Sequence, residues 1–228
     1  MRAMRVRAAL LCFLVLAAAP CGAAPFGVRL GLDKLVLDAP PGFSDTTDLA
    51  SPRLQDLAAT LTPASNRVLL FALADSDVRK FTQGDQLDAR RYMIVVTPRA
   101  SERERFGPER FAAEAAESLR ELGKPVKAAD LFKYMEAQPI GKANLLAELR
   151  RDAGVVSVLQ ATRLPPLPGA SMWDDKKPQY LIHTTALLLL QGKLVQVSVY
   201  SMYEAETDVD WVKQTTQRWI EDLQRLNR

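Results

Sequence analysis

Hydrophobic positions crowd most closely into the C-terminal part of the chain, and their spacing predicts a strand, a second strand and a covering helix. Residues 180–190 and 194–203 are two apolar runs separated only by Gln191-Gly192-Lys193. Glycine accepts the positive φ of a tight turn, so the pair reads as an antiparallel hairpin. With Gln191 and Gly192 as the turn residues, Leu188 faces Val195, Ala186 faces Val197 and Thr184 faces Val199, with Ile182 further along. Side chains alternate across a strand, so these form one apolar surface. Each buried Val, Leu or Ile contributes roughly 1.5–3 kcal/mol, which sends that face inward. The other face mixes Leu187, Leu189, Leu194 and Met202 with His183, Thr185, Gln196, Ser198 and Tyr200. Such a mixture predicts partial cover. In 208–227, Val212, Thr215, Trp219, Leu223 and Leu226 recur at three and four, the stripe of an amphipathic helix. Thr207 or Asp208 is the expected cap.

The earlier chain reads in the same way. Residues 28–37 alternate as a strand with a break near 31–34, ended by Ala39-Pro40-Pro41-Gly42. Ser51-Pro52 is a helix start, a capping hydroxyl followed by proline. Leu54, Leu57, Ala58 and Leu61 continue at helical spacing until Pro63. Residues 67–73 and 90–97 are strands, and 75–88 is expected to be loop. Residues 108–122 form a helix with Phe111, Ala112, Ala115, Leu119 and Leu122 on one side, closed by Gly123. A shorter helix over 130–137 turns Leu131, Phe132 and Met135 inward. Residues 143–151 fit either a helical turn or a strand pairing across Asp152-Ala153-Gly154, and 155–164 is a strand. Four prolines exclude a strand interior from 164–178.

Composition changes the picture at one place. Residues 1–24 hold Arg2, Arg5 and Arg7, an apolar core over 8–19 and then small residues, the pattern of a secretory signal peptide. The apolar run is too short to span a bilayer, and no other segment is long enough. The chain carries 30 basic and 27 acidic side chains; without the leader's three arginines the two balance. The basic pI therefore belongs to the leader and is no argument for nucleic acid. Both cysteines, Cys12 and Cys21, also lie in the leader. Residues 25–228 are thus expected to fold as a single domain on hydrophobic burial, without disulfides or thiolate metal sites.

Candidate chemistry is sparse. The aspartates at 75, 77, 85 and 88 lack calcium-loop spacing, with Arg79 at a ligand position, and turn formation explains them. Glu204, Glu206, Asp208 and Asp210 suit the positive end of a helix. One histidine cannot build a zinc site without other ligands, so neither metal nor cofactor is expected. His183 belongs to no recognisable triad, and the nucleophile elbow and phosphate-binding loops are missing. The long loop 164–178 places Met172 and Trp173 between prolines and charges, and loops of that length often carry function. Met172, Trp173, His183 and Tyr200 are the candidate binding residues.

The order of elements predicts an α+β fold, an antiparallel sheet of about six strands with helices packed on it. Three features carry a resemblance: an early strand ending in Pro41-Gly42-Phe43, a hairpin turning at Gly192-Lys193, and a closing helix over 211–227. With them the chain resembles the Mog1/PsbP-like α/β/α sandwich, and also uncharacterised exported proteins of proteobacteria. The resemblance implies a non-catalytic binding or assembly factor and transfers no site residues. The expected function is a non-enzymatic periplasmic or secreted domain that binds a protein or small ligand. The alternative is a carboxylate-based hydrolase or small-ligand enzyme with a cleft near His183 and Tyr200.

Overall fold

The C-terminal hairpin sits at the middle of the molecule. In the computed structural model, which describes residues 24–126, 130–165 and 178–228, β8 (Gln179–Leu190) pairs with β9 (Lys193–Met202) in the expected register. Leu188 faces Val195, Ala186 faces Val197 and Thr184 faces Val199. Gln191 and Gly192 take φ of 49° and 80°, so two left-handed residues make the reversal. A Cβ on Gly192 would stand 3.2 Å from the Arg105 guanidinium. Gly192→Ala is expected to cost about 1–2 kcal/mol, read as a lower denaturant midpoint.

This hairpin is extended on both sides. The remaining strands of the main sheet are β3 (Phe43–Asp45), β4 (Asn66–Ala74), β5 (Arg91–Pro98), β6 (Ala143–Asp152) and β7 (Val155–Leu164). The order is β3-β4-β5-β9-β8-β7-β6, seven strands with every neighbouring pair antiparallel. The fold is therefore α+β, as the pattern predicts. Residues 143–151 take the strand alternative and turn back at Gly154, whose φ is 89°. As the sheet's edge, β6 is guarded by two register shifts and by Glu148, Arg150, Arg151 and Asp152.

Residues 28–37 are not one interrupted strand. They fold back as β1 (Phe26–Leu30) and β2 (Asp33–Leu37), because Gly31 at φ 62° reverses the chain and leaves Leu32 exposed at the tip. This small hairpin and the closing helix cover one face of the large sheet. That face is a continuous core: Leu30, Leu35 and Leu37 meet Val212, Trp219, Ile220 and Leu223 over Val195, Val197, Ala186 and Leu188. The Trp219 indole donates to the Asp38 carbonyl at 2.7 Å, and the Thr184 and Thr216 hydroxyls share a hydrogen bond. Asn227 clasps β2: its amide oxygen accepts from Val36 N–H at 2.8 Å, while its nitrogen donates to the Val36 carbonyl at 2.8 Å.

Among the described residues the α-helices are α1 (Pro52–Thr60), α2 (Asp75–Thr82), α3 (Pro108–Leu122), α4 (Leu131–Glu136) and α5 (Glu206–Leu226). Ser51 caps α1 by accepting from Leu54 N–H. Three expectations need correction. Residues 75–82 are helical, not loop; Asp75 and Asp77 in the first turn and Arg79 and Lys80 in the last suit the helix dipole. Helix α5 begins at Glu206 with Ala205 as its cap, because Asp208 reaches back to accept from Glu204 and Ala205 N–H at 3.0 and 3.1 Å. Phe132 of α4 is exposed, its ring tilted against Tyr203 at 4.5 Å and edge-on to Tyr180, while Met135 is the buried residue.

Candidate functional site

The second face of the sheet is covered in two separate patches. Under α1 and α2, Leu54, Ala58, Phe71, Leu73, Tyr92, Ile94 and Val96 form one apolar cluster. Under α3, Phe106, Phe111, Ala115, Val156 and Leu194 form another. Between them runs a strip of uncharged polar side chains, the mixed face read from the sequence. Gln160 donates to Thr185 Oγ1 at 3.2 Å, and Gln196 donates to Ser198 Oγ at 3.4 Å. Gln160 and Ser198 are buried, and Thr185 and Gln196 are half-buried.

His183 and Tyr200 meet on this face, directly opposite each other across β8 and β9. Gln160 faces His183 from β7, and Tyr92 faces Tyr200 from β5. The rings stack in sequence: His183 on Tyr200 at 5.2 Å, Tyr200 on Tyr92 at 4.5 Å, and Tyr92 edge-on to Phe71 at 6.4 Å. Burial depresses the His183 pKa to about 4, so the imidazole is neutral at pH 7. Its Nδ1 is buried with no hydrogen-bond partner. Burial also raises the phenols of Tyr92 and Tyr200. Among the described residues no carboxylate tunes this histidine, so the arrangement supplies an aromatic ladder but no acid–base couple.

The acidic clusters have structural work. Asp208 ties Arg91 at 2.9 Å, and that guanidinium lies over the Trp211 ring at 4.2 Å. Glu204 pairs with Arg90, and Glu206 accepts from the Tyr203 hydroxyl at 2.8 Å. Asp75 accepts from Ser44 at 2.6 Å. No group able to hold a metal ion is found among the described residues. Met172 and Trp173 lie outside the described residues.

Three cavities open on this face. One of about 490 Å³ lies between α1 and β4, with Thr46, Gln55, Asn66 and Arg99 on its wall. Two more flank α3, of about 370 and 230 Å³. The smaller has Gln160, Thr185 and Gln196 on its floor. In the sequence Thr185 and Gln196 stand out only as members of a mixed face, and Gln160 not at all. The available signal was a glutamine inside an otherwise apolar strand, opposite a helix whose inward stripe centres on alanine.

No protein-family model and no curated protein matches the sequence. Among solved structures, the chain is similar to a point mutant of the protein Mog1, at 16% identity and TM-score 0.37, over 89% of this chain and 94% of that one. It is also similar to the Ran-binding protein Mog1p of Saccharomyces cerevisiae, at 15% identity and TM-score 0.36, over 89% and 95% of the two chains.

Proposed function

We propose that this chain is a non-enzymatic binding or assembly domain, exported behind the leader at 1–24 and working in the periplasm or outside the cell. The observation that carries the binding reading is the divided second face. The opposite face carries one continuous apolar core with a cleft of about 360 Å³ beside α5, whereas this face is split and keeps crevices floored with hydrogen-bonding groups. Convergent polar groups inside apolar walls are the usual make-up of a binding site. The leader pattern supports export. Met172 and Trp173 are proposed as a further partner contact.

Two measurements test the reading. Fractionation of the producing cell, with a mass on the recovered protein, is expected to find a chain shortened by removal of roughly the first 19–24 residues. Capture from the same fraction is expected to recover a partner or ligand, with recovery reduced by Trp173→Ala. A full-length chain in the cytoplasm would overturn the export half. Hydrolysis that disappears in His183→Phe would overturn the non-enzymatic half.

A further inference from the structure

We propose that the crevice under α3 binds an uncharged amphipathic small molecule, with its apolar body beside Phe111 and Val156 and its hydrogen-bonding head on Gln160, Thr185 and Gln196. This deepens the binding reading and rests on it. The two cavities flanking α3 share Ala115, Leu119 and Val156, so they adjoin beneath the middle of the helix. Both are open to solvent, and the larger, of about 370 Å³, lies within the range of small-molecule sites.

The space has a cause in the sequence. Helix α5 buries Val209, Val212, Thr216, Trp219, Ile220 and Leu223 on the opposite face, whereas α3 buries only Phe111 and Ala115. Phe111 holds the N-terminal end of α3 against the sheet. One turn later the inward residue is Ala115, which packs with Val156 but projects only a methyl group, so clefts open to solvent on either side of it. A contact this slim leaves the groove beside the helix accessible to a ligand.

The lining selects the ligand. The larger cavity is walled by Phe111, Ala112, Ala115, Ala116 and Leu119, with Glu109, Arg151 and Asp152 exposed at its mouth. The smaller one meets the polar strip. Gln160 uses one N–H on Thr185, which leaves its second N–H and the carbonyl's capacity for a head group. The floor residues are uncharged, and Glu121, the one charged residue lining the smaller cavity, is exposed to water, so an ionised head on the floor would be desolvated without a close counter-charge. An alcohol, amide or amine N–H on an aromatic or aliphatic body fits both ends.

The test uses the purified protein with N-phenyl-1-naphthylamine, two apolar ring systems joined by one N–H. Saturable fluorescence enhancement is expected, with amide shift changes centred on Ala115, Val156 and Thr185. Ala115→Phe fills the junction and is expected to weaken binding by at least about tenfold. Gln160→Leu is expected to weaken it by about fivefold, while binding of 1-phenylnaphthalene, the body without the N–H, stays within about twofold. Unchanged affinity in a folded Ala115→Phe variant overturns the proposal. If that variant melts early, shift changes in the unaltered protein that centre elsewhere overturn it instead. Absence of saturable binding sinks the α3 site alone, because the binding-domain reading is judged separately by partner capture.

Discussion

Replacing Lys193 with methionine is expected to destabilise the fold by about 3–5 kcal/mol, measured by chemical denaturation. Lys193 opens β9, and its side chain is only 2% exposed. The ammonium donates to the Glu102 and Glu104 carbonyls at 3.2 and 2.8 Å. It also stands 3.4 Å from the Asp33 carboxylate. One side chain thereby gathers the central strand, the 102–104 segment and the tip of the β1–β2 hairpin. Methionine keeps the length and loses the charge, so two carbonyls and a carboxylate are left without their donor. Asp33 keeps its ion pair with Arg105, which places the cost toward the lower end. A loss below about 1 kcal/mol would show the ammonium to be dispensable.

Acidification from pH 7 to 4 is expected to remove about 3 kcal/mol through the single histidine. Burial holds the His183 pKa near 4, against an ordinary value of 6.5. Between these values the unfolded chain binds a proton that the folded chain refuses. Stability therefore rises with pH across this window, and it falls steadily as pH drops from 6.5 to 4. Two carboxylates flank the effect without imitating it. Burial raises Asp38, which favours the folded state on acidification, opposite in sign. Asp208 is also raised by burial, but hydrogen bonds from Glu204 N–H and Arg91 hold it below the usual carboxylate range. Its contribution is lost only at lower pH. His183→Phe keeps a flat ring against Tyr200, removes the unpartnered Nδ1 and is expected to flatten the profile between pH 6.5 and 4. Urea midpoints at half-unit pH steps for both proteins would decide the matter; parallel curves would place the proton elsewhere.

Strict alternation and clear caps made much of the fold legible. The β8–β9 register followed from facing Leu, Ala and Val residues, and α3 from Pro108, its apolar stripe and Gly123. Where the sequence misled, a specific local feature was responsible. The two register shifts in β6 break the period of two and leave Leu145, Leu146 and Leu149 at helix-like spacing. The first turn of α2 is Asp75-Ser76-Asp77, turn chemistry that equally suits a helix N-terminus. Lys193 read as part of a turn because nothing local marks a lysine as buried; its partners lie 89 or more residues away. The pairing of His183 with Tyr200 was legible from register alone. The clefts beside α3 were not, since they depend on how a helix packs on a sheet, which periodicity does not encode.

The clasp between Asn227 and Val36 joins residues 191 positions apart. The ribbon of β1 and β2 is made long before the side chain that grips it. Contacts so distant in sequence carry a large loop-closure entropy and form slowly. Until then the small ribbon's leucines lack the cover that α5 gives them, and docking of the ribbon is expected among the last steps of folding.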